Sequence, residues 1–172
     1  MRVRKLEAPT DAEIEGLANV LVDCVEGGAS VSFMLPMTRD KALRFWRNVA
    51  ASASRGERAL FVAEDEGRIV GTVQVVFDLP ENQPHRGDVS KMLVHRSQRK
   101  QGIGEALMRA AEQAARDAGK TLLVLDTASD AAERLYERCG FRRVGVIPKY
   151  ALLPEGGYCD TVYFYKELPA RA

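Results

Sequence analysis

The stretch RKQGIGEALMRAAEQAARDAG, from Arg99 to Gly119, decides the architecture predicted for this chain. It follows the apolar run KMLV, and at Gly102 and Gly104 apolar residues begin to recur at three- and four-residue spacing. This pattern predicts an amphipathic helix that begins at the two glycines and ends at Gly119. The N-terminus of such a helix attracts anions, because its first N–H groups lack partners within the helix and its dipole adds about half a positive charge. The stretch therefore predicts a strand, an anion-binding turn and a helix.

The flanking sequence extends this unit into a mixed α/β arrangement. VRKLE, from Val3 to Glu7, predicts a short first strand. Two helices, with Thr10 or Asp11 and then Thr38 as N-caps, follow it and precede three apolar, β-branched runs that predict consecutive antiparallel strands. After the glycine turn and its helix, TLLVLDT predicts a strand buried on both faces. The passage from Val89 to Thr127 then requires a right-handed parallel crossover. A fourth helix, DAAERLYERC, and two last strands complete the predicted order βααβββαβαββ.

Length, composition and charge limit the function classes. With 172 residues the chain is expected to be a single domain, residues 1–172. Its 25 basic and 24 acidic residues give a formal charge of +1, so we expect no nucleic-acid partner. No run approaches the ~20 apolar residues of a membrane span and no signal core is present, so we expect no membrane partner and a cytoplasmic location. The 3 cysteines lack metal-ligand spacing, so no metal is expected, and their use favours a reducing compartment.

The glycine turn matches neither of two common phosphate motifs. A dinucleotide fingerprint needs a third glycine where Leu107 stands, and no P-loop pattern exists in the chain. What remains is Arg99-x-x-Gly102-Ile103-Gly104 after the run KMLV. This pattern resembles the pyrophosphate-binding signature of the GNAT superfamily of N-acetyltransferases.

A second element supports the same resemblance. SDAAERLYERCGF, from Ser129 to Phe141, is similar to the later helix of the superfamily, which carries a tyrosine, here Tyr136, and ends at Gly-Phe. The superfamily often has asparagine where this chain has Ser129. The resemblance implies a mixed, largely antiparallel sheet with a central parallel splayed pair, flanked by four helices. It also implies acetyl-CoA as the co-substrate.

The resemblance further implies which residues bind coenzyme A. The amides of the turn would hold the pyrophosphate, and the preceding strand would pair its backbone with the pantetheine arm. An N–H near Met92 or Leu93 would polarise the thioester carbonyl. The implied coenzyme A-binding residues are Met92, Leu93, Val94, Arg99, Lys100, Gln101, Gly102, Ile103, Gly104 and Ser129.

Catalysis requires an acid for the departing thiolate and a base for the amine. Tyr136 is the predicted acid, because a phenol with a reference pKa of about 10 stays protonated at neutral pH and can protonate a thiolate whose conjugate acid has a pKa of about 8.5. The base has two candidates. Asp88 lies on the strand before the turn, where alternation predicts one shared face for Asp88, Ser90 and Met92. Asp126, at the end of the next strand, is the second candidate.

The predicted acceptor is a primary amine of a small molecule, with an amino-acid-like antibiotic or toxin as one option. GGASVSFM and three later stretches resemble the tabtoxin-resistance type of acetyltransferase, which acts on such a toxin. Acetylation of a protein N-terminus or lysine, and a non-catalytic acyl-CoA sensor, are the alternatives. Dimerisation is common among similar proteins, and the apolar final strand VYFY is compatible with either a core or an interface, so a homodimer is one option. Location in the chain suggests as acceptor-site residues Ser30, Phe33, Tyr150 and Tyr158.

Overall fold

The computed structural model describes residues 1–169, and its elements follow the predicted order. The strands are β1 (Arg2–Leu6), β2 (Arg58–Asp65), β3 (Arg68–Val76), β4 (Arg86–Val94), β5 (Leu122–Thr127), β6 (Arg142–Leu152) and β7 (Tyr158–Glu167). The helices are α1 (Asp11–Glu26), α2 (Arg39–Ser54), α3 (Ile103–Asp117) and α4 (Asp130–Arg138). A single 3₁₀ turn, Arg96–Gln98, lies between β4 and α3.

Polar side chains define three of the helix starts. Thr10 and Glu13 form a reciprocal capping box at α1, so Thr10 is the N-cap and not Asp11. Thr38 caps α2 and Ser129 caps α4, each accepting a hydrogen bond from a backbone N–H of the first turn. The start of α3 differs, because its N-cap is a glycine.

All seven strands form one sheet in the order β1-β2-β3-β4-β5-β7-β6. Only β4 and β5 are parallel among the strand pairs in residues 1–169. Their pairing covers Arg86–Asp88 and Leu122–Val124, although β4 continues to Val94 and β5 to Thr127. The two strands therefore separate beyond Asp88. This arrangement confirms the predicted largely antiparallel sheet with a central parallel splayed pair and four flanking helices.

The sheet divides the molecule into two apolar cores. The α3/α4 side includes buried residues of every strand from β2 to β5 and of β7, among them Val73, Leu123 and Phe164. The α1/α2 side includes Trp46 and Leu60 and reaches the sheet only through β1 to β4 among the described residues. On the α1/α2 side of the sheet, no helix of the described residues packs on β5, β7 or β6. We call this uncovered part of the sheet the open face.

The open face corrects the prediction that β5 is buried on both sides. Leu123 and Leu125, which point to the α3/α4 core, are 0% and 3% exposed. Val124 is only partly buried, and Asp126 is exposed. A continuous apolar run suggested two buried faces, but the tertiary arrangement places a helix layer on one side of β5 only.

A β-bulge interrupts the pairing of β4 with β3. Ser90 pairs with Gln74 and Leu93 with Thr72, so Lys91 and Met92 both oppose the single residue between those two. Lys91 takes a left-handed backbone conformation with φ of 52°. The bulge therefore inserts one residue into the strand directly beside the splay.

The bulge also reverses the alternation of side chains along β4. Val89 is buried in the α3/α4 core, and Met92 packs against that same core. Leu93 is buried in the α1/α2 core. The prediction of one face shared by Asp88, Ser90 and Met92 is wrong, because an extra residue in a strand moves the following side chains to the opposite face.

Candidate active site

The glycine turn presents an uncapped helix N-terminus. Gly102, the N-cap of α3, has φ of 78° and no side-chain hydrogen bond, and an added Cβ there would have nothing within 4 Å. Lys100 also has a left-handed conformation, with φ of 62°. Left-handed residues within a turn are typical of the backbone nests that bind anions. The first N–H groups of α3 are thus available to an anion, as the sequence predicts.

Gly104 brings three elements of the site into contact. A Cβ at this position would lie 2.9 Å from Leu135 Cδ2 and 3.4 Å from Met92 Cε. Only a glycine lets α3 approach both α4 and the β4 bulge this closely. The turn, the splayed strand and the helix of Tyr136 therefore meet at one place.

The remaining residues predicted to bind coenzyme A lie around this meeting point. Arg99, Lys100 and Gln101 are exposed in the turn, and Arg99 Nε donates to Val94 O at 3.3 Å. Met92, Leu93 and Val94 follow the bulge on the part of β4 that has separated from β5. Ile103, the first residue of α3, is buried below the turn at 3% exposure. The hydroxyl of Ser129 accepts a hydrogen bond from Ala132 N at 3.4 Å, so it is engaged in capping α4.

Tyr136 lies in the α3/α4 core with 5% of its surface exposed. Its ring is 6.1 Å from that of Phe141 and 6.0 Å from that of Phe164. Burial raises the pKa of Tyr136 well above its ordinary value, and the negative charge of Asp126 adds to this effect. The phenol is therefore protonated at neutral pH, the state that a general acid needs. Its aromatic contacts show that it also has a packing role.

Acidic and phenolic side chains cluster on the open face. Asp126 Oδ2 accepts a hydrogen bond from Thr161 Oγ1 at 2.8 Å. Tyr163 pairs with Asp126 across β5 and β7, and its hydroxyl lies 2.9 Å from that of Tyr150. The hydrogen bond with Tyr150, burial, and the charges of Asp126 and Asp88 raise the pKa of Tyr163 to about 12. Both candidate bases therefore lie within electrostatic reach of one tyrosine.

Asp88 has the environment of a carboxylate whose basicity is increased. Burial raises the pKa of Asp88 above 3.8; Arg86 opposes this shift, and the negative charge of Asp126 adds to it. Arg86 Nη2 lies 3.4 Å from Asp88 Oδ2. Asp88 Oδ1 is buried and has no hydrogen-bond partner among the described residues. An unpaired buried oxygen next to a splayed sheet is available to a proton on an incoming group.

The α1–α2 loop, residues 27–38, spans the open face from β4 to the β6–β7 hairpin. Leu35 N donates to Pro154 O at 3.0 Å, which ties the loop to the hairpin. Ser30 Oγ lies 3.4 Å from Cys159 Sγ, and the ring of Phe33 packs 5.2 Å from that of Phe45. Two of the predicted acceptor-site residues are thus in this loop.

The other two predicted acceptor-site residues occupy different places. Tyr150 joins the open-face residues through Tyr163. Tyr158 is 71% exposed and lines a separate cavity of about 400 Å³ together with Asp130 and Glu133 of α4. The structure therefore brings Tyr150 together with the candidate bases and places Tyr158 apart from them.

Comparison with known proteins agrees with this geometry. Residues 28–141 match the model of the acetyltransferase (GNAT) family. The chain belongs to this family. Human N-acetyltransferase 8B is 39% identical over 115 residues, which is 64% of this chain and 49% of that protein. The chain thus spans about half the length of this relative. Membership confirms the GNAT assignment.

Solved structures of GNAT-type proteins share the fold. A ribosomal-protein-alanine N-acetyltransferase from Brucella melitensis superposes with a TM-score of 0.83 at 23% identity, covering 98% of this chain and 100% of that one. A phosphinothricin acetyltransferase from Sinorhizobium meliloti, solved in complex with acetyl-CoA, gives 0.79 at 20% identity, covering 97% and 88%. Within residues 1–169 every helix is too short or too polar to cross a bilayer, and no cluster of metal-ligating side chains occurs.

Sequence reasoning missed three polar residues of this GNAT site. Thr161 and Tyr163 lie in the run TVYFY, whose composition is typical of a buried strand. In the structure Phe164 is buried while Tyr163 is only partly buried and pairs with Asp126. Strict alternation along β4 predicts that Lys91 lies on the face opposite Asp88. Strict alternation in β7 could have indicated Tyr163, but no local pattern marks the bulge at Lys91.

Proposed function

We propose that this protein transfers the acetyl group of acetyl-CoA to a primary amine of a small molecule, by direct attack in a ternary complex. The observation that carries the proposal is the position of the splay. It lies between the uncapped N-terminus of α3 on one side and the carboxylates of Asp88 and Asp126 on the other. A donor held by the turn and an acceptor on the open face would meet where β4 and β5 separate.

The residues present can account for each proton in the reaction. The amine gives up its proton to Asp88 or Asp126, directly or through a water molecule, and its nitrogen attacks the thioester carbon. As the C–N bond forms, the C–S bond breaks, and Tyr136 gives its proton to the departing thiolate. The nitrogen loses its second proton as the amide forms, and this proton restores the Tyr136 phenol. An N–H of the β4 bulge, at Met92 or Leu93, would stabilise the oxyanion. Of the two bases, Asp88 is the stronger candidate because burial raises its pKa and one of its oxygens is unpaired.

Two contacts favour a small acceptor over a folded or extended protein. The α1–α2 loop is joined to the β6–β7 hairpin through Leu35 and Pro154 and through Ser30 and Cys159. These contacts close one side of the open face, which restricts the passage of a peptide chain. A peptide acceptor nevertheless belongs in the test, because the Brucella structure above is described as a ribosomal-protein-alanine N-acetyltransferase. An antibiotic or toxin as acceptor, the tabtoxin-type resemblance, a homodimer and a cytoplasmic location stay predictions.

The test is thiol release from acetyl-CoA in the presence of a panel of amines and N-terminal peptides. Small amines should be acetylated with a higher kcat/KM than peptides. Faster turnover of a peptide would instead support a protein acetyltransferase. Binding of acetyl-CoA without turnover of any acceptor would support an acyl-CoA sensor and refute the proposal.

Tyr136→Phe tests the role of the acid within the same assay. The substitution keeps the ring packed against Phe141 and Phe164, and it should lower kcat by ~10² with little change in the affinity for acetyl-CoA. Tyr158→Phe is the control, because it removes a hydroxyl from a side chain that is 71% exposed and lies apart from the candidate bases. An unchanged kcat for Tyr136→Phe would show that the phenol only packs.

A further inference from the structure

Lys91, at the β4 bulge, is a cation without a matching anion. Its Nζ donates to Ser32 Oγ at 3.1 Å and lies 5.8 Å from the centre of the Phe45 ring. No carboxylate of the described residues lies within ion-pairing distance of this ammonium. Burial lowers the pKa of Lys91, with the charge of Asp126 opposing and that of Arg58 adding to the shift. A partly buried ammonium in this setting is stabilised when an anion reaches it.

The strained backbone at Lys91 directs its side chain toward α2 and the α1–α2 loop. A lysine with φ of 52° is unfavourable, and such residues concentrate at functional sites. The bulge leaves Lys91 beside the ring of Phe45 on α2 and the hydroxyl of Ser32 in the α1–α2 loop. Without the bulge, the period-2 pattern of the strand would send this side chain to the side of Val89, into the α3/α4 core.

The position of Lys91 relative to the candidate bases has a consequence for the acceptor. Asp88 precedes Lys91 by three residues on the same strand, and Asp126 is close enough to influence the pKa values of both. This side of the sheet thus has negative charge at Asp88 and Asp126, and at the neighbouring Lys91 a positive charge without an ion-pair partner among the described residues. A zwitterion with an amine and a carboxylate matches this distribution.

We infer that Lys91 binds a carboxylate of the acceptor, so that the preferred substrates are amines that also carry a carboxylate group, such as amino acids. The inference rests on the proposed function and specifies its substrate class. Ser32 positions the ammonium from the loop, and Phe45 covers one side of it. The amine end of the same molecule then lies toward Asp88, where its proton is removed.

The test compares matched acceptors in the thiol-release assay. The probes are α-amino acids and ω-amino acids of increasing chain length, each paired with its carboxamide. The wild-type protein should prefer the carboxylate over its amide by at least ~10-fold in kcat/KM, since hydrogen bonds to charged groups are strong. The ω-amino acid with the highest kcat/KM would give the spacing between the two ends of the acceptor.

Three variants separate carboxylate binding from a structural role. Lys91→Met should raise KM for the carboxylates by about 10- to 100-fold with kcat nearly unchanged, and leave the amides unaffected. Lys91→Arg should keep most of the preference. Lys120→Met is the control, because Lys120 also lies over a ring, 5.5 Å from the centre of Phe77, and also makes one hydrogen bond.

The outcomes distinguish this inference from the proposed function. Equal turnover of acids and amides by the wild-type protein, or an equal loss on both with Lys91→Met, overturns the inference and leaves acetyl transfer intact. Absence of thiol release with every amine overturns the proposed function. In that case NMR of the protein with ¹³C-methylated lysines tests whether Lys91 binds a carboxylate. The Lys91 signal is assigned by its loss in Lys91→Met. A shift of that signal on adding the amino acids, but not the amides, supports the carboxylate site, and no shift refutes it.

Discussion

The ion pair between Arg86 and Asp88 offers a quantitative test of which carboxylate is the base. It joins Nη2 and Oδ2 at 3.4 Å, with side chains 27% and 37% exposed. Pairs this exposed contribute about 0.2–1 kcal/mol, and about 1.36 kcal/mol corresponds to a tenfold change in proton affinity. Arg86→Gln destabilises the carboxylate form of Asp88. The acidic limb of the pH–rate profile should therefore move to higher pH by about 0.15 to 0.7 of a pH unit.

Asp126→Asn should move the same limb in the opposite direction. The negative charge of Asp126 raises the pKa of Asp88, so its removal favours the carboxylate form and extends activity to lower pH. Asp88→Asn should lower kcat by about 10²- to 10⁴-fold and remove the limb. If Asp126 is the base instead, Asp126→Asn abolishes the limb rather than shifting it.

The assay is thiol release between pH 4 and 9 with one fixed amine, whose own titration is then common to all variants. Arg68→Gln is the control, because Arg68, at the start of β3, forms a more exposed pair with Glu66, at 3.7 Å. An acidic limb that stays in place in both Asp88→Asn and Arg86→Gln would refute Asp88 as the base.

Two further predictions concern the coenzyme A turn and an internal ion pair. Gly102→Ala places a Cβ at φ of 78°, which costs about 1–2 kcal/mol, so Tm in thermal unfolding should fall by about 2–8 °C and KM for acetyl-CoA should rise. Gly56→Ala, at φ of 75° and equally free of contacts, should lower Tm alone; equal KM values for the two variants would contradict the role of the turn. Although burial opposes it, hydrogen bonds from Lys166 and Arg116 at 2.7 and 2.6 Å lower the pKa of Glu112. Glu112→Gln should cost about 1.5–3 kcal/mol of unfolding free energy at pH 7, and urea titrations should show this difference shrinking below pH 4.5 as the wild-type carboxylate is protonated. A difference that is constant with pH would refute the ionic contribution.

Local sequence was sufficient for most of the fold. Thr38 and Ser129 cap the helices that their positions predict, because a cap bonds to an N–H two or three residues away. Gly102 and Gly104 likewise predict the turn, since a left-handed residue and a close helix approach each depend on a missing Cβ. The same glycines predict the coenzyme A turn, whereas the role of Tyr136 follows only from the resemblance to the GNAT superfamily.

Local sequence did not predict the acceptor side of the site. Its members come from β4, β5, β7 and the α1–α2 loop, and their proximity depends on strand order and register. TLLVLDT and TVYFY have compositions typical of buried strands, yet each contributes polar residues to the open face through Asp126, Thr161 and Tyr163. The pattern of apolar and polar residues along these strands does not indicate that one face of the sheet lacks a helix layer.

The sequence by itself determined the order of elements, the helix caps, and the anion-binding turn, because each follows from interactions between residues close in the chain. Tertiary structure alone decided the bulge at Lys91, the one-sided burial of β5 and the grouping of Asp88 with Asp126 and Tyr163. A bulge arises from the register between β3 and β4, and charges cluster only when strands distant in sequence become neighbours. The predicted donor site is therefore encoded locally, whereas the proposed acceptor site depends on how the sheet is assembled.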